Sequence, residues 1–224
     1  MQGIFLSDTR GAIFDLDGTL LDSLDVWNRV DVNFLGKRGI EVPADYAEAI
    51  APMMFREVAE YTINRFHLNE SPDDVINEWN SMAKQEYAQN VPLKDGADRV
   101  LKLLKKNGIK LGIATTNVSK VFKPCLERHG IYDMFDVITE TDDVGVAKDK
   151  PDIYLHTAKK LRVNPSECIV FEDIVMALKS AKRGGFITVG IHDNSDWVRV
   201  TKEEFEGSCD HMVTSWDEVK KILE

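Results

Sequence analysis

The sequence predicts an α/β protein: a Rossmann-like parallel sheet flanked by helices, with an all-helical cap domain inserted after the first strand. Three observations point there. Short apolar runs recur along the chain with helical patterns between them, and strands that alternate with helices build parallel sheets covered on both faces. The stretch from about Leu24 to Val91 breaks the alternation, because it holds helical patterns and no strand. The length, 224 residues, suits one large domain or a core with a smaller insert.

Taken in order, Gly3-Ile4-Phe5-Leu6 resembles a strand and Ser7 to Gly11 a turn. Ala12-Ile13-Phe14 is an apolar run ending at Asp15, as expected of a buried strand. In the insert, Trp27, Val30 and Phe34 share one helical face. Phe55, Val58, Ala59, Thr62, Ile63 and Phe66 form a second stripe, and Val75, Ile76, Trp79, Met82 and Ala83 a third. Pro43, Pro52, Pro72 and Pro92 punctuate these segments. The expected division is a catalytic core of residues 1–23 and 92–224 and a cap of residues 24–91. Beyond the insert, Ala97, Val100, Leu101 and Leu104 mark a helix stopped at Asn107-Gly108. Strand-like runs follow at 111–114, 137–138, 168–171, 186–189 and 211–213. Between them lie a helix opened by Pro151, with Tyr154, Ala158 and Leu161 on one face, and another through Ala177, Leu178 and Ala181, ended by Gly184-Gly185.

The bulk numbers narrow the class. A net charge of -10 repels polyanions and argues against nucleic acid as a partner. Cys125, Cys168 and Cys209 have no metal-binding spacing and read as reduced structural thiols. No signal-peptide pattern and no apolar run of membrane-spanning length is visible, so the expected location is the cytoplasm, away from membranes. The five histidines show no ligand spacing, Met53-Met54 reads as packing, and the run Glu203-Glu204-Phe205-Glu206 as a solvated helix face.

Chemistry concentrates at predicted strand ends. Asp15 and Asp17 leave the first strand together, and two adjacent carboxylates invite a hard cation. Gly18 and Thr19 follow, and glycine permits the backbone of a phosphate-cradling turn. Taken alone, Asp17-Gly18 also fits an ordinary acidic turn. Ligands of open α/β sheets sit at the carboxyl ends of the strands, and there the chain offers Thr115-Thr116, Lys148 and Glu172-Asp173. Hydroxyl and amide donors, a cation and further acids complete what phosphoryl transfer needs.

On the motifs Phe14-Asp15-Leu16-Asp17-Gly18-Thr19-Leu20 and Val170-Phe171-Glu172-Asp173, the chain resembles the haloacid dehalogenase-like hydrolases. Within that family it is similar to the helical-cap subgroup that includes sugar-phosphate phosphatases and β-phosphoglucomutase. The resemblance implies that Asp15 attacks phosphorus and becomes an aspartyl-phosphate, while Asp17 protonates the leaving alcohol and then activates water. Thr115 and the Thr116 amide would hold phosphate oxygens, with Gly18 and Thr19 in the cradling turn. Lys148 would balance the charge. Magnesium would be held by the Asp15 side chain, the Asp17 carbonyl and Asp173, with Glu172 acting directly or through water. The family's lysine commonly precedes Pro-x-Pro-Asp; here the segment is Lys148-Asp149-Lys150-Pro151-Asp152, which favours Lys148 and leaves Lys150 as the alternative.

Asp17 argues against dehalogenation, which needs no acid two residues after the nucleophile. The resemblance therefore implies a magnesium-dependent phosphatase acting on a small phosphorylated metabolite. A phosphomutase is the alternative, and a non-catalytic phosphate-binding module the alternative of another class, disfavoured because both aspartates are present. Arg56 falls where such enzymes place a substrate-contacting cap arginine, and also reads as an exposed helix arginine. Trp27 stands where the mutase has a histidine; it would line the pocket or pack the cap.

Overall fold

The computed structural model describes the chain except residues 1–3, 5, 51–52, 54, 193–199 and 224. The chain divides into two compact units: Met1–Leu24 with Val91–Glu224, and Asp25–Asn90 between them.

The larger unit is built on six parallel strands: β1 (Gly11–Phe14), β2 (Lys110–Thr115), β3 (Val137–Glu140), β4 (Cys168–Glu172), β5 (Ile187–Ile191) and β6 (His211–Val213). Their order in the sheet is β3-β2-β1-β4-β5-β6. The strand carrying the first aspartates is thus central, flanked by β2 and β4 in matched register, with Phe14 opposite Ile113 on one side and Phe171 on the other. All four residues of β1 are buried, which explains its unbroken apolar reading. The Phe14 and Phe171 rings stack at 4.8 Å, and Trp216 packs on Phe171 at 5.3 Å.

The helices of this unit are α5 (Ala97–Lys106), α6 (Ser119–Arg128), α7 (Thr141–Val144), α8 (Asp152–Leu161), α9 (Val175–Arg183), α10 (Lys202–Glu206) and α11 (Trp216–Leu223). The expected faces are the buried ones: Val100, Leu101 and Leu104 on α5, Tyr154, Ala158 and Leu161 on α8, and Ala177, Leu178 and Ala181 on α9. Gly112 lets α8 approach the sheet; a Cβ there would lie 2.7 Å from Thr157 Cγ2.

Three local expectations need correction. Leu6–Asp8 forms a 3-10 turn instead of ending a strand. The described part of the expected 3–6 strand contributes only the buried Ile4, whose N–H donates to the Ile222 carbonyl, and Gly3 and Phe5 lie outside the described residues. The acidic run 203–206 is a solvated helix face except for Phe205, which is buried beside Leu178 and Cys209. Pro151 sits one residue ahead of α8, as its N-cap.

The smaller unit holds α1 (Val26–Gly36), α2 (Tyr46–Ile50), α3 (Phe55–Phe66) and α4 (Pro72–Gln89), with no strand among its described residues. Pro52 and Met54 of the sequence reading lie outside the described residues. Ser71 and Asp74 form a capping box that starts α4 with Pro72 in its first turn. Phe34 and Trp79 meet edge-on at 5.4 Å in the unit's interior, and the partly exposed Phe55 reaches Trp79 at 5.6 Å. The two chain crossings that flank this unit are paired on the core side. Asp22 N–H donates to the Pro92 carbonyl, Lys94 N–H to that of Leu20, and Leu21 bridges Leu93.

Candidate active site

Asp15 directly follows β1, and its N–H donates to the Phe171 carbonyl (3.0 Å), so the ladder to β4 continues one residue past the strand. The chain then folds tightly. Leu20 and Leu21 N–H both donate to the Leu16 carbonyl, and Gly18 N–H to that of Leu21. Gly18 has φ +80°, and a Cβ on it would lie 2.2 Å from Asp173 Oδ2. Glycine is therefore required twice here, by conformation and by the close approach of the carboxylate at the end of the neighbouring strand. Thr19 tightens the same junction. Its hydroxyl donates to Asp173 Oδ1 (3.0 Å), and its carbonyl accepts from Trp216 Nε1 (3.1 Å).

Around Asp15 lies a buried charge network. Lys148, in the turn after α7, places its ammonium on Asp15 Oδ1 and, at 2.5 Å, on Glu172 Oε1. Asp15, Lys148 and Glu172 are all buried, Glu172 completely. Lys150 is exposed, so Lys148 is the lysine brought to Asp15. Tyr154 of α8 donates its hydroxyl to the same Glu172 oxygen (2.7 Å), while Glu172 Oε2 accepts Asp173 N–H (3.2 Å).

Burial pushes the Asp15 carboxyl well up from its ordinary value; Lys148 opposes this, and the Glu172, Asp173 and Asp17 carboxylates add to it. Burial, and then Glu172, push Asp173 up to about 7. Burial alone would lower Lys148, but Asp15 and Glu172 outweigh it and hold the ammonium charged. One ammonium thus faces an excess of carboxylate.

A divalent cation would relieve that excess. Asp15, Glu172 and Asp173 bring one carboxylate oxygen each to within 4.8 Å of one another, an all-oxygen donor set suited to a hard ion. These residues fit a divalent metal. The Asp17 carboxylate is not among them: Oδ1 accepts from Ser23 Oγ (2.7 Å) and Oδ2 from Asn117 Nδ2 (3.0 Å).

At the end of β2, Thr115 is buried and its hydroxyl accepts Asn117 N–H (3.0 Å), while Thr116 is exposed. The loop after Thr115 is tied to the next strand, because Ser119 N–H donates to Glu140 Oε1 (2.9 Å). Sequence reasoning did not single out Ser23, Asn117, Glu140 or Tyr154. Asn117 and Glu140 stand at strand ends, a signal that could have found them. Tyr154 was hidden by its apolar spacing with Ala158 and Leu161.

The residues expected from the insert lie within the helical unit. Arg56 is exposed and pairs with Asp73 at 2.7 Å and Glu60 at 3.5 Å. Trp27 is 45% exposed, unlike the buried Val30 and Phe34 with which it was grouped, and it packs edge-on against Phe55 at 5.3 Å.

A six-stranded parallel sheet with this acid set at its central strand ends defines a class of phosphate-handling hydrolase folds. The family model for haloacid dehalogenase-like hydrolases matches residues 9–185, and the chain belongs to that family. Hexitol phosphatase A of Escherichia coli (strain K12) is 27% identical over 197 residues, covering 86% of this chain and 88% of that protein. The phosphorylated carbohydrates phosphatase of Thermotoga maritima is 25% identical over 176 residues, covering 79% and 82%. The crystal structure of a "putative beta-phosphoglucomutase" from Thermotoga maritima shares the fold with a TM-score of 0.84 at 23% identity, over 96% of this chain and 100% of that one. No helix among the described residues is long and apolar enough to cross a membrane.

Proposed function

We propose that this protein is a magnesium-dependent phosphatase that hydrolyses a small phosphorylated metabolite of the sugar-phosphate class through an aspartyl-phosphate on Asp15. The observation that carries the reading is the unequal treatment of the two aspartates. Asp15 is buried against Lys148 within the three-acid set, whereas Asp17 stands apart, held by Ser23 and Asn117. That division suits a nucleophile and a proton carrier. The phosphatases of phosphorylated carbohydrates among the chain's relatives support the substrate class.

Asp15, Glu172 and Asp173 would hold the magnesium, with the Asp17 carbonyl completing the set. The ion supplies charge neutralisation for the nucleophile and the phosphoryl oxygens. The attack on phosphorus comes from an Asp15 carboxylate oxygen, with the Lys148 ammonium on Oδ1. As that bond forms, the bond from phosphorus to the leaving oxygen breaks, and Asp17 delivers its proton there. The freed alcohol departs. Asp17, now a carboxylate, takes a proton from a water that attacks the same phosphorus. The bond to Asp15 breaks and inorganic phosphate leaves. Thr115 and Thr116 offer a hydroxyl and an amide to the phosphoryl oxygens. Gly18 and Thr19 seat the turn that follows Asp17 against Asp173.

The helical unit is assigned the role of a cap that closes over substrate and excludes bulk water. Its two chain crossings are paired with one another, which suits motion as one body. Arg56 and Trp27 are its candidate substrate contacts.

The test is release of inorganic phosphate from p-nitrophenyl phosphate and a panel of sugar phosphates, with and without magnesium. The wild type should turn over with magnesium, and Asp15→Asn should fold and not turn over. No release by the wild type from any of these would sink the reading. Conversion of a sugar 1-phosphate to its 6-phosphate without phosphate release would establish the mutase instead.

A further inference from the structure

Tyr154 has a role that its apolar spacing concealed. Its side chain is fully buried, and its ring packs edge-on against Phe186 at 6.2 Å. Those features belong to a core residue, and phenylalanine would satisfy both. The hydroxyl does more. It donates to Glu172 Oε1 at 2.7 Å, the oxygen that also receives the Lys148 ammonium at 2.5 Å. A carboxylate oxygen offers two good acceptor directions, so these two donors use up Oε1. The other oxygen, Oε2, accepts only the longer Asp173 N–H bond, at 3.2 Å, among its described contacts.

We propose that Tyr154 is a positioning residue for the metal. By holding Oε1 together with Lys148, it fixes the plane of the Glu172 carboxylate and presents Oε2 to the ion beside Asp15 and Asp173. The inference rests on the magnesium reading above and adds to it which oxygen of Glu172 serves and what aims it. Hydrogen-bonded partners behind metal ligands typically change affinity by about 10–100-fold when removed. Lys148 alone cannot replace the phenol, because its ammonium is shared with Asp15 and would draw Glu172 toward that contact.

The experiment measures divalent-ion binding directly, by calorimetric titration of magnesium and by electron paramagnetic resonance of added manganese, on the full chain without substrate. Tyr154→Phe keeps the ring and its Phe186 contact and removes one hydrogen bond, leaving Glu172 Oε1 still on Lys148. Its ion affinity should be weaker by about 10–100-fold. Thr157→Val on the same helix is the control for a merely structural effect. Thr157 is buried, and its hydroxyl donates to the Ile153 carbonyl with no bond to the site among the described residues, so that variant should bind the ion as the wild type does. Wild type and Tyr154→Phe binding equally would overturn the inference while leaving the magnesium reading intact. Equal weakening in Thr157→Val would overturn it as well, by showing a general effect of perturbing α8. A wild type that binds no divalent ion overturns both readings.

Discussion

Replacing Lys148 by methionine removes the ammonium that meets Asp15 and Glu172 in the buried network. Methionine nearly matches lysine in length and fills its channel, so packing changes little. The loss is electrostatic. Breaking a buried ion pair by deleting one partner costs about 3–5 kcal/mol, because the remaining charge is left without compensation. In a chain of this size each kcal/mol moves the melting midpoint by about 2–4 °C, so Lys148→Met should melt about 6–20 °C below the wild type near pH 8. The pH dependence identifies the cause. Burial already raises the Asp15 carboxyl, and removing Lys148 raises it further. A group whose folded pKa lies above its unfolded value contributes stability that is present below the unfolded value and lost as pH rises through the folded one. The deficit should therefore be small near pH 4 and grow toward pH 8. Circular-dichroism melts across that range, without metal, make the measurement. A variant melting within about 2 °C of the wild type at pH 8, or a deficit that does not change with pH, would refute the reasoning.

Two further outcomes are expected. Gly18→Ala places a Cβ 2.2 Å from Asp173 Oδ2 at φ +80°; beyond about 1–2 kcal/mol of backbone strain, Asp173 must move, and the magnesium concentration for half-maximal phosphate release should rise about 10-fold or more. Asp31 in the helical unit is pushed by burial up from 3.8 to about 6, so its stabilising protonated form is lost as pH rises through that value. Asp31→Asn should then stabilise by about 1–2 kcal/mol at pH 8, after discounting for partial exposure, and by nothing near pH 4; denaturant melts at the two pH values decide it, and an equal gain at both would show that charge is not the cause.

The core was legible because its strands are buried on both faces. Ala12 to Phe14 and Cys168 to Phe171 are unbroken apolar runs for that reason, and each ends at an acid. The terminal segment misled because Gly3 to Leu6 has strand-like composition without the alternation of a half-buried strand, and Leu6 enters a 3-10 turn. Trp27 shows a similar limit: helical spacing placed it with Val30 and Phe34, but spacing fixes an angular sector, and the residue at the sector's edge is half exposed. Amphipathic residues are misread most easily. Tyr154 scored as core on its ring, and its hydroxyl makes the contact that matters for the site.

The two carboxylates of the first motif are chemically identical in sequence, and their difference is made entirely by what later strands bring to them. β4 delivers Glu172 and Asp173 beside Asp15, and the turn before α8 adds Lys148, so Asp15 is buried among charged groups. The loop after β2 delivers Asn117 to one oxygen of Asp17, and the linker residue Ser23 donates to the other. With β1 between β2 and β4, one neighbour brings charged groups to Asp15 and the loop after the other brings a hydrogen-bond donor to Asp17, the division that the proposed roles of nucleophile and proton carrier call for.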